Sequence, residues 1–308
     1  NTGENDYLIA ENYYRQGAYE KATQFFEKLY KTSPFNTTYL SRLITCYQET
    51  NSFLKAENLL KNRIKANSSQ IYLFVYLGYN YEKQQHKELA IKNYEIALNS
   101  LEKNPAYGGL IGRLFKDYNL LDYAILAYEK AMQQNKNANY SFQIAQIYGE
   151  KGEFKKMFEA YIDLVDKNEN YFSLVQRYTS KYITDDAENE ANILFRKTLL
   201  RKSISNPKDI WNGLLSWLFT QQKDYGKALI QEKALYQRNP TELSAIYNLG
   251  KIAFNNKDYE ASNASFNFVI ENTTLKEEKI DANLYLAKIA VATKNPNTEQ
   301  VFQSLFNK

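Results

Sequence analysis

One histidine, His86, and one cysteine, Cys46, are all that this 308-residue chain holds of the two most versatile catalytic side chains. His86 sits in the turn-like stretch "QQHKE" with no serine or cysteine placed to pair with it, so no base-activated nucleophile is formed there. Cys46, between Ile44 and Tyr47, reads as a small packed thiol. A lone thiol excludes an internal disulfide, and one Cys with one His leaves no set with zinc spacing. The acids Asp185, Asp186, Glu188 and Glu190 cluster in "TDDAENE" but lack the oxygen ladder and turn glycine of a calcium loop. They read instead as a helix start, with acids against the positive end of the helix dipole and Thr184 as the cap. Neither a Gly-rich phosphate loop nor a nucleophile elbow occurs. The sequence points away from an enzyme, and no cofactor or metal is expected.

The elements carrying these residues are predicted to be helices. The chain is 44% hydrophobic and 15% aromatic, with only 5 Pro and 11 Gly, which suits an all-α class better than a chain of many tight β-turns. Lys plus Arg (39) against Asp plus Glu (35) gives +4, an excess too small to demand a polyanionic partner. The longest apolar run, "IYLFVYLGY" from Ile71 to Tyr79, falls far short of the roughly 18 residues of a membrane-spanning helix. Two strings then stand out. "GAYEKATQFFEKLYKTSP" from Gly17 and "KDYGKALIQEKALYQRNP" from Lys223 share Tyr, Lys, Ala, Leu, Tyr and Pro at the same offsets.

Between them the same pattern recurs at a period near 34. The first unit reads Ile9, Ala10, Tyr13, the Gly17 turn, Tyr19, Ala22, Phe26 and Pro34. The third has Leu77, Gly78, Tyr81, Ala90 and Tyr94, and the fourth Ile111, Gly112, Phe115, Ala124 and Tyr128. The seventh has Leu215, Ser216, Phe219, Ala228 and Pro240, and the eighth Leu249, Gly250, Tyr259 and Phe266. On these residues the chain resembles the tetratricopeptide repeat family over essentially its whole length. That resemblance implies an all-α, right-handed α-α superhelix, a solenoid of about eight helix-turn-helix units plus a partial ninth. As one solenoid over 1–308, its units fall near 3–36, 37–70, 71–104, 105–137, 138–171, an irregular 172–207, 209–242, 243–276 and a partial 280–308. Small residues should mark the helix crossings, Ala10 facing Ala22, Gly78 facing Ala90, Gly112 facing Ala124 and Gly250 facing Ser262, because bulk there would push the helices beyond about 8–10 Å.

Departures from the pattern are part of the reading. Met157 and Ile44 stand where small residues are expected, and Glu232 takes the aromatic position of the seventh unit. The sixth unit lacks its turn glycine. The joints before Pro105, before Pro207 and through "TTLKEEKI" are a few residues long, which predicts longer second helices there. Val301, Phe302, Leu305 and Phe306 keep the last helix apolar where a capping helix would be polar, so more chain is expected past Lys308. The start at Asn1 rather than Met fits a removed leader or a trimmed beginning. With the Asn, Lys and Tyr bias of an AT-rich genome, this points to a bacterial protein, periplasmic or associated with the cell envelope.

The resemblance also implies a site. First helices of such arrays line a concave groove that holds a partner's peptide or helix, and the register places Tyr72, Tyr79, Arg113, Lys116, Gln146, Trp217, Tyr247 and Lys251 along it. Glu11, Gln48 and Val75 fall on the same face. The subset that clamps a C-terminal carboxylate needs Lys, Asn and Arg on three consecutive units, and no three units here supply them. The expected function is a non-enzymatic scaffold for protein or peptide partners. The alternatives are the N-terminal repeat region of a larger multidomain protein with activity elsewhere, or a nucleic-acid-binding helical repeat. No periodic basic stripe favours nucleic acid, and oligomeric state is not readable from the pattern.

Overall fold

The computed structural model describes residues 2–240, 243–294, 296 and 298–306. Among the described residues there are α-helices and two single 3-10 turns, with no strand. The chain forms two compact units, Asn1–Tyr140 and Ser141–Lys308. The first holds four helix pairs: α1 (Thr2–Arg15) with α2 (Tyr19–Thr32), α3 (Thr37–Glu49) with α4 (Phe53–Ala66), α5 (Leu73–Lys83) with α6 (Lys87–Ser100), and α7 (Gly108–Asp117) with α8 (Leu121–Gln134). The second holds α9 (Ser141–Glu150) with α10 (Phe154–Lys167), then α11 (Phe172–Thr179) with α12 (Glu190–Ser205). It continues with α13 (Asp209–Gln221) and α14 (Tyr225–Arg238), α15 (Ser244–Asn255) and α16 (Tyr259–Asn272), and α17 (Lys276–Ala292) and α18 (Thr298–Phe306). The ninth pair, expected to be incomplete, thus has both helices, the second of nine residues.

Each second helix is amphipathic in the manner a pair requires. On α2, Ala22, Phe26 and Leu29 recur at helical spacing and are buried, while the intervening charges stay in water. Burying a ring such as Phe26 contributes about 1.5–3 kcal/mol, and no single pair has enough such area to stand alone.

The turns inside the pairs share one conformation. Left-handed φ values occur at Gly17, Asn51, Gln85, Asn119 and Gly152, stepping by close to one repeat length, and again at Lys223, Lys257 and Lys294. Each of the first seven is followed by a backbone N–H that reaches back over the helix end: Ala18 to Tyr13, Ser52 to Tyr47, His86 to Tyr81, Leu120 to Phe115, Glu153 to Tyr148, Asp224 to Phe219 and Asp258 to Ala253, at 2.7–2.9 Å. This 6→1 bond satisfies a carbonyl that the helix end would orphan. The sixth pair has no such residue; α11 and α12 are joined instead by an irregular stretch from Ser180 to Asn189.

At the crossings a Cβ placed on Gly78 would lie 3.1 Å from the Ala90 carbonyl, as the expected facing requires, and three glycines also seat a ring. A methyl added to Gly78 would overlap the ring of Tyr94, and one on Gly112 the ring of Tyr128. On Gly250 it would meet Ser265 and the Phe266 ring at 3.0–3.1 Å. Each glycine therefore seats an aromatic four residues beyond the small residue it was expected to face. Ser262 still meets Gly250, donating its hydroxyl to the Gly250 carbonyl at 2.8 Å.

Two further expectations are corrected. The cap of α12 is Asn189, whose side chain accepts from Ala191 N–H, not Thr184. The surplus residues mostly avoid the second helices: α6 and α16 have 14 residues each, and the spare length goes into the 3-10 turn Pro105–Tyr107 and the 17-residue α17. Only α12, with 16 residues before Pro207, is long. Phe302 is exposed, while the side chains of Val301, Leu305 and Phe306 lie outside the described residues.

Candidate binding site

In the first unit, α5 and α7 carry a ladder of tyrosines. Tyr72 caps α5, and Tyr76 and Tyr79 follow at helical spacing; Tyr107 precedes α7 and Tyr118 caps its end. Tyr72 stacks on Tyr107 at 6.1 Å and meets Tyr76 edge-on at 6.5 Å. Tyr118 stacks on Tyr79 at 3.7 Å and meets Tyr76 edge-on at 6.0 Å. Its hydroxyl also reaches Gln48 Oε1 at 3.4 Å, and Gln48 Nε2 donates to the Tyr76 carbonyl at 3.1 Å. One tyrosine thereby ties α3, α5 and α7 together.

Arg113 is exposed on the same helix as Lys116 and Asp117, one turn away from Asp117. Burial holds the Asp117 carboxyl above its ordinary range, with Arg113 and Lys116 pulling it back down. Burial pushes the Tyr76 phenol up to about 12, with Tyr72 and Asp117 adding to the rise and Arg113 opposing it. Tyr118 is held well above its ordinary value, first by burial and then by Tyr76 and Tyr79. These phenols stay protonated near neutrality. They are packing groups and supply no general base.

Glu11 and Arg42 form a second polar feature of this unit. Arg42 Nε and Nη2 donate to the two carboxylate oxygens of Glu11 at 3.0 and 2.9 Å, and its guanidinium lies 4.2 Å from the Tyr14 ring centroid. Glu11, expected to face a partner, is therefore buried and already engaged. Gln48 and Val75 are also buried rather than presented.

The remaining predicted residues lie in the second unit. Trp217, on α13, is half-buried and meets Phe195 edge-on at 6.3 Å. Tyr247, on α15, packs edge-on to Phe266 and Tyr285, with Lys251 Nζ 5.6 Å from its ring centroid. Gln146 is half-buried on α9. The structure thus brings Tyr72 and Tyr79 into one ring ladder beside Arg113 and Lys116, and pairs Tyr247 with Lys251. Trp217 stands apart from that pair, on the Phe195 ring. Tyr76, Tyr107, Asp117 and Tyr118 escaped the sequence reading. The repeat pattern ends its first helix at Phe115, and the only signal for Tyr118 was its place just before the turn residue Asn119.

His86 is exposed at the start of α6, and no group of three or more His, Cys, Asp or Glu is placed to hold a metal among the described residues. Among them, too, no helix is long and apolar enough to cross a membrane. What the geometry defines is a helical-repeat protein with an aromatic, partly basic face.

Residues 4–35 match the family model described as "Tetratricopeptide repeat". A TPR repeat-containing protein of Methanocaldococcus jannaschii is 26% identical over 249 residues, covering 79% of this chain and 40% of that protein. The chain therefore spans 40% of the length of the curated relative it matches. Among solved structures, the C-terminal part of a TPR repeat-containing protein from Cytophaga hutchinsonii aligns over 89% of this chain and 98% of its own, at 16% identity and a TM-score of 0.34. A thermophilic TPR protein from Thermus thermophilus aligns over 58% of this chain and 97% of its own, at 18% identity and a TM-score of 0.34. With its helix pairs and its turn residue recurring at the repeat length, the chain is similar to tetratricopeptide repeat proteins.

Proposed function

We propose that the chain is a protein-binding scaffold that docks a peptide or helix of its partner on the face built by α5 and α7. The carrying observation is half-buried Tyr72 and Tyr79, held in a ladder by Tyr118 and by buried Tyr76 behind them, with exposed Arg113 on the neighbouring helix. Rigid tyrosines bury area at low entropic cost and are enriched among binding hot spots. Arg113 and Lys116 orient an acidic group of the partner and steer its approach. Trp217, Tyr247 and Lys251, with Gln146, form further contact positions on the second unit. Tetratricopeptide repeats are generally scaffolds of this kind, which supports the class of partner.

The test is affinity capture from the native organism with wild type, Tyr79→Ala and Arg113→Glu. Each variant is first shown to melt cooperatively, because Tyr79 also packs on Tyr118. Loss of a true anchor weakens binding by about 2 kcal/mol, roughly thirtyfold. Arg113→Glu acts through association rate, so its effect shrinks as salt rises. If both folded variants recover every wild-type partner at wild-type yield, this face is not the site.

A further inference from the structure

Glu232 stands where most of the other repeats have an aromatic ring and the second has Leu60, and its environment is unlike theirs. In the third, fourth and eighth pairs a glycine on the first helix seats a ring on the second: Gly78 with Tyr94, Gly112 with Tyr128, Gly250 with Phe266. In the seventh pair Ser216 stands at the glycine position and Glu232 at the ring position. Both partners of the packing pair have changed together, from apolar to polar.

The missing ring leaves room. A cleft of about 230 Å³ opens between α14 and the start of α15, with Glu232, Leu235 and Ile246 in its wall and Asp209, Tyr236 and Asn239 also lining it. That is far more than the roughly 30 Å³ share of one water. Asp209 is already engaged, since Arg238 donates to it at 2.7 Å and to Asn212 Oδ1 at 2.7 Å. Among the described residues no cation pairs with Glu232. A partly buried carboxylate without a counter-ion is costly to keep, and it faces an open space.

We propose that this cleft receives an arginine side chain of a protein partner, with Glu232 as its counter-ion. The proposal rests on the scaffold reading only in taking the partner to be a protein. Guanidinium suits the place better than ammonium. It is more weakly hydrated, it can present two N–H groups to one carboxylate, and its plane can lie on the Tyr236 ring. Leu235 and Ile246 would cover the methylene stem.

The experiment uses N-acetyl-arginine amide as the probe, titrated into the isotope-labelled full chain and followed by amide NMR shifts. The expected result is saturable shifts clustered at residues 209, 232–239 and 243–246. N-acetyl-citrulline amide, the uncharged isostere, and the Glu232→Gln protein each bind at least tenfold more weakly. A double variant, Ser216→Gly with Glu232→Phe, restores the ring, fills the cleft and abolishes the clustered shifts, so the proposal stays testable if Glu232→Gln folds poorly. Shifts that are absent, scattered over the surface, matched by citrulline or unchanged in both variants overturn it. Tighter binding of N-acetyl-lysine amide also overturns the choice of arginine. The free probe needs no contact with α5 or α7, so this outcome is separate from that of the Tyr79→Ala capture.

Discussion

A methyl group is enough to test the residue-level packing. Gly78→Ala and Gly112→Ala each drive a Cβ into a tyrosine ring and should cost about 1–3 kcal/mol. Gly226→Ala, on α14 with nothing within 4 Å of its new Cβ, should instead stabilise by roughly 0.5 kcal/mol through helix propensity. Thermal melts of the three variants decide the matter; equal effects at all three would show that the rings are not seated on the glycines. Cys46 offers a second test. Burial pushes its thiol up to about 12, with Thr23 and Arg42 pulling back, so the folded protein should resist a maleimide at pH 8 and react only on unfolding. Rapid labelling under native conditions would contradict that burial. Glu232 supplies a pH signature. Burial raises its folded pKa above the unfolded value, with nearby Ser216 pulling it back, so the folded state holds its proton more tightly. The destabilisation is then full above the folded pKa and fades as pH falls toward the unfolded value. Glu232→Gln should raise Tm near neutrality, and the gap from wild type should close on acidification. A gap that widens at low pH would reverse the assignment.

At the scale of elements, the sixth pair is where sequence and structure part most. Its missing turn glycine was legible, but the replacement was not. Asn192, fully buried on α12, donates to the carbonyls of Thr184 and Asp186 and accepts from Thr184 N–H at 3.2 Å, stitching the irregular stretch to the helix. An asparagine inside a helical run carries no pattern that announces this work. The turns show the same limit. Gly17 and Gly152 declared themselves, whereas Gln85, Lys223 and Lys257 adopt the left-handed conformation against their own preference, held by the 6→1 bond. The helix pairs themselves were readable because apolar spacing is repeated eight times over, so errors in one unit are corrected by the others. Asn192→Ala should leave two carbonyls and an N–H without their partner and destabilise by about 1–3 kcal/mol. Hydrogen exchange would show faster exchange confined to roughly residues 180–190. Unchanged exchange there would mean the stretch is held by something other than this side chain.

At the scale of the whole molecule, period and composition made an all-α repeat array legible, because each unit writes the same buried positions. The face proposed for binding was less so: it depends on which tyrosines stay presented and which pack away, and Gln48, Val75 and Glu11 went inward where the register pointed outward. The division into two compact units was not visible at all, since the repeat pattern runs on across Tyr140. That division carries a prediction of its own. Within Asn1–Tyr140 the helix pairs are closed by their own rings, and Tyr140 finishes the last of them. Its ring packs 5.0 Å from Tyr128, and its hydroxyl would lie 3.1 Å from a methyl placed on Gly109. Solenoid stability is close to a sum of unit and neighbour terms, so four stacked pairs exceed the three or so that an array needs. A fragment of residues 1–140 should therefore be helical by circular dichroism and melt cooperatively. Ending it at residue 138 removes the Tyr140 ring, which is half-buried, and should cost about 1–2 kcal/mol, a drop of several degrees in Tm for a domain of this size. A fragment 1–140 that is unfolded, or one ending at 138 that melts at the same temperature, would show that the ring does not close the fourth pair.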